Sequence, residues 1–114
     1  MKNTACDLTM SKCIPCEGGI QKNSIKTSQT LLTNLHQDWT LNEFADKLQR
    51  SYTFKNFAKT MLFVNAVAHI ADQQFHHPDV KFGYNYCTVE YSTHAVGGLT
   101  ANDFICAAMI DKLL

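Results

Sequence analysis

Three of the five histidines in this 114-residue chain fall in one stretch, at His76, His77 and His94, and Asp103 closes it. Imidazole has an unperturbed pKa of about 6.5, so it can give or take a proton near neutrality without help. Three such rings around a strand pair point to proton-transfer chemistry or to a metal. Asp72 precedes His76 by one helical turn, where a carboxylate could orient that ring.

His69, Asp72 and His76 would share one face of a helix, which makes a His/Asp metal site conceivable. No HExxH arrangement accompanies them. Cys13-Ile14-Pro15-Cys16 is a CxxC, with Cys6 close by. A structural zinc site normally needs four ligands, and neither a second pair nor paired histidines completes this one. A structural or redox-labile pair is the better reading of Cys13 and Cys16.

The elements that must position the histidines follow from periodicity. Thr27 or Ser28 can cap a short helix to about His36, with Leu31, Leu32 and Leu35 inward. Trp39 and Leu41 alternate as a strand. After a turn at Glu43 to Lys47, Leu48, Tyr52 and Phe54 share a face with Arg50, a second strand hairpinned to the first. Phe57, Met61, Val64, Ala68, Ala71 and Phe75 then step by three and four, one helix face opened by Asn56 as N-cap. Phe63, Val67 and Ile70 widen that stripe, making this helix the expected main core element. Pro78 disfavours helical geometry at His77, so the helix should stop near Phe75 or His76. Val80, Phe82 and Tyr84 alternate, and Cys87, Val89 and Tyr91 alternate on the other parity, two strands turning near Asn85. Thr100-Ala101-Asn102-Asp103 has the capping-box form, so Asp103 is expected as a cap and loop anchor. Ile105, Ala108, Met109 and Leu113 should be the final helix's buried side. The order α-β-β-α-β-β-α implies an α+β domain, a four-stranded antiparallel sheet with helices on one face.

Composition agrees. Hydrophobic residues make up 46% and charged residues 18%, which excludes a disordered chain. Ten basic and ten acidic residues cancel, and no polybasic run offers a footprint for nucleic acid. No segment reads as a membrane span or an export signal, and the odd cysteine count argues against a disulfide framework, so a cytoplasmic setting is expected. Residues 1–26 read as a polar N-terminal extension and 27–114 as the folded domain.

At these residues the chain resembles the pterin-4a-carbinolamine dehydratases. Their signature runs here as Asp72, His76-His77-Pro78, Tyr84, His94 and Asp103. The likeness extends to Leu48-x-Arg50-x-Tyr52-x-Phe54-Lys55-Asn56-Phe57, Thr93, Gly98-Leu99 and Ala107. The Cys13-x-x-Cys16-x-Gly18-Gly19 entry also occurs in bacterial-type members. The resemblance implies a 4a-hydroxytetrahydrobiopterin dehydratase, a hydro-lyase that removes water from 4a-hydroxytetrahydropterin without metal or cofactor. By the same resemblance His76 and His94 are acids serving opposite ring faces, and His77 binds substrate and acts as base. Pro78, Thr93, Ala95 and Val96 line the substrate, with Asp72 and Asp103 in support. Several members carry cysteine where Val96 stands, so no thiol is needed there. The expected assembly is a homodimer or homotetramer, coupled in function to a pterin-dependent hydroxylase. A non-catalytic dimerisation module is the alternative, since animal members of the family also act in that way.

Overall fold

The computed structural model describes residues 21–114, so the cysteine pair at Cys13 and Cys16 lies outside the described residues. The elements are α1 (Ile25–Leu32), β1 (Thr40–Leu41), β2 (Leu48–Thr53), α2 (Phe57–Gln74), β3 (Asp79–Phe82), β4 (Tyr86–Tyr91) and α3 (Ala101–Asp111). A short 3-10 turn, His94–Val96, stands between β4 and α3. The order and the α+β class are those expected.

The sheet order is β1-β2-β4-β3, antiparallel throughout. β2 pairs with β4 from Leu48 opposite Tyr91 to Thr53 opposite Tyr86. Residues paired across antiparallel strands share a face, so Leu48, Arg50 and Tyr52 lie beside Tyr91, Val89 and Cys87 on the helix side. Leu48, Cys87, Val89 and Tyr91 have no measurable exposure. The other face carries Gln49, Ser51, Thr88 and Glu90, and the Ser51 and Thr88 hydroxyls meet there at 2.9 Å.

Local chemistry sets the ends, in places differently from the pattern. α1 is capped by Ser24, whose hydroxyl accepts the Thr27 N–H at 3.1 Å, and it stops at Leu32 rather than His36. Ser28 is buried inside the helix rather than capping it. Asn42 Oδ1 takes the N–H groups of Asp46 and Lys47, both at 2.9 Å, and so builds the β1–β2 turn. Tyr84 lies in the β3–β4 turn instead of extending β3, and is exposed.

The buried side of α2 is Thr60, Phe63, Val67 and Ala71; the last three are among the expected apolar positions, whereas Met61 and Val64 are half-buried and Ala68 is exposed. Phe57 and Phe75, the ends of the expected stripe, are 46% and 85% exposed. Thr60 joins the buried side, a polar residue that hydrophobic pattern cannot place inside. Its hydroxyl lies 3.0 Å from both the Asn56 and Tyr84 carbonyls, and can donate to one of them at a time.

α3 is the most enclosed element. Asn102 to Ala108 and Ile110 are all buried, whereas Leu113 lies beyond the helix and is 39% exposed. α3, not α2, is therefore the centre of the core. Burial of side chains such as Phe104 and Ile110 contributes about 1.5–3 kcal/mol each. At its C-terminal end Asp111 takes the Trp39 Nε1–H at 2.7 Å, an Arg50 guanidinium N–H at 2.9 Å and the His36 backbone N–H at 3.0 Å. One carboxylate thereby ties α3 to β2 and to the α1–β1 loop.

Candidate active site

α2 ends in a left-handed cap at Phe75, φ 54° and ψ 37°. The N–H groups of Phe75 and His76 both return to the Ala71 carbonyl, as at many helix C-termini. The reversal leaves Phe75 outside and carries His76 inside, where it is 5% exposed. Its ring lies parallel to that of Tyr91, with centroids 5.7 Å apart and an interplanar angle of 4°.

Asp103 meets it from the other end of the core. Oδ1 lies 2.6 Å from His76 Nε2, and Oδ2 accepts the Thr93 hydroxyl at 2.8 Å and the Thr100 N–H at 2.9 Å. The Thr100 backbone bond is half of the expected capping box, and that box is present. Asp103 is thus a cap, and the same carboxylate also holds a histidine. It is Asp103, not Asp72, that stands at His76 Nε2.

Thr93 leaves β4 and bridges to Gly98, closing the 3-10 turn that begins at His94. Gly97 sits at φ 66°, a conformation that L side chains rarely adopt. A Cβ on Gly98 would come within 2.6 Å of Lys22 Cε. The two glycines let the loop turn sharply and lie under the N-terminal segment, which presents His94 outward.

His94 is exposed and borders a cleft of about 170 Å³ with Asp46, Lys47, Ser92, Thr93 and Gly98. His77 borders a second cleft, about 260 Å³, walled by Val64, Val67, Ala71, Pro78 and Val80 with Asp72 at its side. Of these two clefts, the first is bordered by His94 and the second by His77, and His76 lies behind them in the core. Through Asp103, His76 is connected to Thr93, the residue before His94. Ala95 is exposed and Val96 half-buried on the same turn.

Thr93, expected at the substrate, borders the His94 cleft but turns its hydroxyl inward. Sequence reasoning missed the ring of Tyr91 against His76, and nothing in a β alternation marks such a stack. It also read Thr100 only as a cap. Among the described residues no group of three or more metal-capable side chains comes together. His69 and Asp72 are exposed while His76 is buried on Asp103, so the three do not form the shared helix-face site considered from sequence.

Chemically, a buried imidazole aligned by a carboxylate, with two exposed imidazoles nearby in the chain, suits proton transfer to and from a bound organic molecule. Comparison with known proteins identifies the family. Residues 21–113 match the family model described as pterin 4 alpha carbinolamine dehydratase. A relative from Nitrosomonas eutropha is 51% identical over 109 residues, covering 96% of this chain and 95% of its own. One from Legionella pneumophila is 51% identical over 109 residues, covering 95% and 96%. Both are provisionally named pterin-4-alpha-carbinolamine dehydratases. The crystal structure of a transcriptional coactivator/pterin dehydratase from Brucella melitensis superposes with a TM-score of 0.77 at 25% identity, over 82% of this chain and 98% of that one. A pterin dehydratase-like RuBisCO assembly factor of the alpha-carboxysome shares the fold, with a TM-score of 0.58 over 68% of this chain and 90% of its own. Sequence match and fold therefore converge: this chain belongs to the pterin 4 alpha carbinolamine dehydratase family.

Proposed function

We propose that this protein dehydrates 4a-hydroxytetrahydropterin to quinonoid dihydropterin by histidine acid–base catalysis, recycling the tetrahydropterin of an aromatic amino acid hydroxylase. The observation that carries the reading is the buried 2.6 Å pair of His76 and Asp103, in a chain whose family is defined by this substrate. The reaction breaks the C4a–O bond as an acid protonates the hydroxyl, which leaves as water. A base takes the N5 proton, and the N5 lone pair closes the C4a=N5 bond. His76 and His94 supply the acid on either ring face and His77 the base, with Pro78, Ala95, Val96 and the backbone of Thr93 at the pterin and Asp72 beside His77.

Asp103 has a definite part in this scheme. As a carboxylate it only accepts hydrogen bonds, so its partner nitrogen, Nε2 of His76, carries a hydrogen. As an acid, His76 therefore works as the imidazolium and gives its proton from Nδ1. In the neutral ring left behind, Nδ1 holds the lone pair, and the ring cannot swap tautomers without losing the Asp103 bond.

The test is whether the purified protein speeds decay of enzymatically generated 4a-carbinolamine over the uncatalysed rate. No acceleration, with tight binding to a protein partner, would favour the interaction-module reading instead. The Brucella relative, described as both coactivator and dehydratase, keeps that second reading in view.

A further inference from the structure

Asp103 accepts from three donors, and this fixes the direction of every bond around it. Thr93 has a single O–H and spends it on Asp103 Oδ2 at 2.8 Å. The 2.9 Å contact between the Thr93 and Thr100 hydroxyls must then run from Thr100 Oγ1 to Thr93 Oγ1. Thr100 Oγ1 in turn accepts the Asn102 N–H at 3.2 Å. The chain therefore reads Thr100 to Thr93 to Asp103, with His76 donating to the same carboxylate from the other side. Thr93 is 1% exposed, and Thr100 and Asp103 have no measurable exposure, so bulk water cannot replace a missing donor cheaply.

We propose that Thr93 and Thr100 are positioning residues: their hydroxyl relay holds the Asp103 carboxylate so that His76 keeps its proton on Nε2. The link to turnover rests on the dehydratase reading above, but the relay itself does not. Carboxylate torsions are broad and soft, and Oδ2 is held by two donors. One is the Thr100 N–H of the helix cap, the other the Thr93 hydroxyl. Removing the second leaves Oδ2 on the cap alone, so that only the His76 bond itself opposes rotation of the carboxylate away from Nε2. Because Thr93 immediately precedes His94, the same bond also sets where the His94 turn begins relative to His76. Thr93 thus serves both imidazoles without needing to touch substrate.

Thr93→Val removes the hydroxyl and keeps the shape. Nitrogen-15 NMR of the His76 ring should show loss of the Nε2–H preference. Steady-state kinetics on the carbinolamine should show kcat down roughly tenfold or more, the scale of one hydrogen bond to a charged acceptor, with KM little changed. Thr93→Ser, which restores the hydroxyl, should recover both. An unchanged His76 ring spectrum in folded Thr93→Val would overturn the relay, as would a rise in KM alone, the mark of a substrate contact. Should Thr93→Val fail to fold, the wild-type protein still decides. The relay requires slowly exchanging Thr93 and Thr100 hydroxyl protons in its proton spectrum, and fast exchange with water would overturn it. If wild type does not dehydrate the carbinolamine, the dehydratase reading falls, while the ring spectra still judge the relay.

Discussion

Asp103 Oδ1 and His76 Nε2 stand 2.6 Å apart across 27 residues of chain, joining the N-terminus of α3 to the residue that follows the cap of α2. The same carboxylate closes the α3 capping box through the Thr100 N–H. Helix geometry and imidazole geometry are thus set by one group. A shift of the cap moves the histidine.

Asp103→Asn separates the two jobs. An amide oxygen can still accept the Thr100 N–H, so the helix cap weakens by only about 0.3–1 kcal/mol, the scale of a first-turn carboxylate. At His76 the amide can present an N–H instead and favour the opposite tautomer. Folding should be near normal by thermal melting, and single-turnover dehydration should fall by roughly two orders of magnitude, within the range of acid–base catalysis. Near-normal activity would make Asp103 a cap alone.

His76 and His94 should behave as a pair. They stand in different environments, His76 buried on Asp103 and His94 on an exposed turn. If each serves one face of the pterin ring, His76→Ala and His94→Ala should each keep partial activity. The double variant should lose far more than either, up to roughly the 10²–10⁴-fold that acid–base catalysis contributes. Simple addition of two small effects would count against paired acids.

Local signals carried the element order into the sequence, and tertiary ones did not. The switch from alternation to three-and-four spacing marks α2 between strand pairs, and Asn56 and Thr100 mark helix starts, because caps act within three residues. On α2 the pattern marks Phe63, Val67 and Ala71 but misses Thr60, which is buried through hydrogen bonds rather than apolarity. α3 showed one stripe through Ile105, Ala108 and Met109 although it is enclosed nearly all round, because a one-face pattern leaves no place for Phe104, Ala107 and Ile110 on the other sides. The histidines stood out by type and spacing. The Asp103–His76 bond could not be seen, because Thr100-x-x-Asp103 already gives the carboxylate a complete local reason.

Asp111 should be a stability residue that spares chemistry. It accepts from Trp39, Arg50 and His36, while the Arg50 guanidinium also lies 4.3 Å from the centroid of the Tyr52 ring. The Arg50 side chain is only 10% exposed, so Asp111→Ala leaves a largely buried cation with the exposed Asp38 carboxylate, 3.9 Å away, as its remaining counter-charge. The expected cost is about 3 kcal/mol, at the low end for breaking a buried pair. Urea unfolding followed by Trp39 fluorescence measures it, with kcat retained in the folded fraction. A midpoint like wild type would show the three bonds carry little.

Assembly is the next expectation. Leu62 on α2 is 66% exposed, and Val80 and Phe82 on β3 are 37% and 41% exposed. That much apolar surface on one helix and an edge strand suits a partner surface. Sedimentation at micromolar protein should show a homodimer or homotetramer, and a monomer would contradict it. Leu62→Glu should shift the distribution to smaller species if α2 contributes.

Alkaline pH should weaken the fold from inside the sheet. Burial pushes the Cys87 thiol from 9.0 up to about 11, and burial also raises the Tyr52 phenol. With the folded pKa above the unfolded one, the native state holds a proton that the unfolded state releases. Stability is then unaffected below about pH 9 and falls as pH rises through the interval to about 11. Urea midpoints measured across that interval should decline, and the decline should be shallower by the share of one proton in Cys87→Ala. That variant will also be less stable at neutral pH, since it leaves a small cavity, so the slope and not the midpoint is the readout. In wild type the same thiol should resist a disulfide reagent at neutral pH until the protein unfolds. Fast labelling of the native protein at Cys87, or an identical slope in Cys87→Ala, would show that the buried thiol does not drive the alkaline loss.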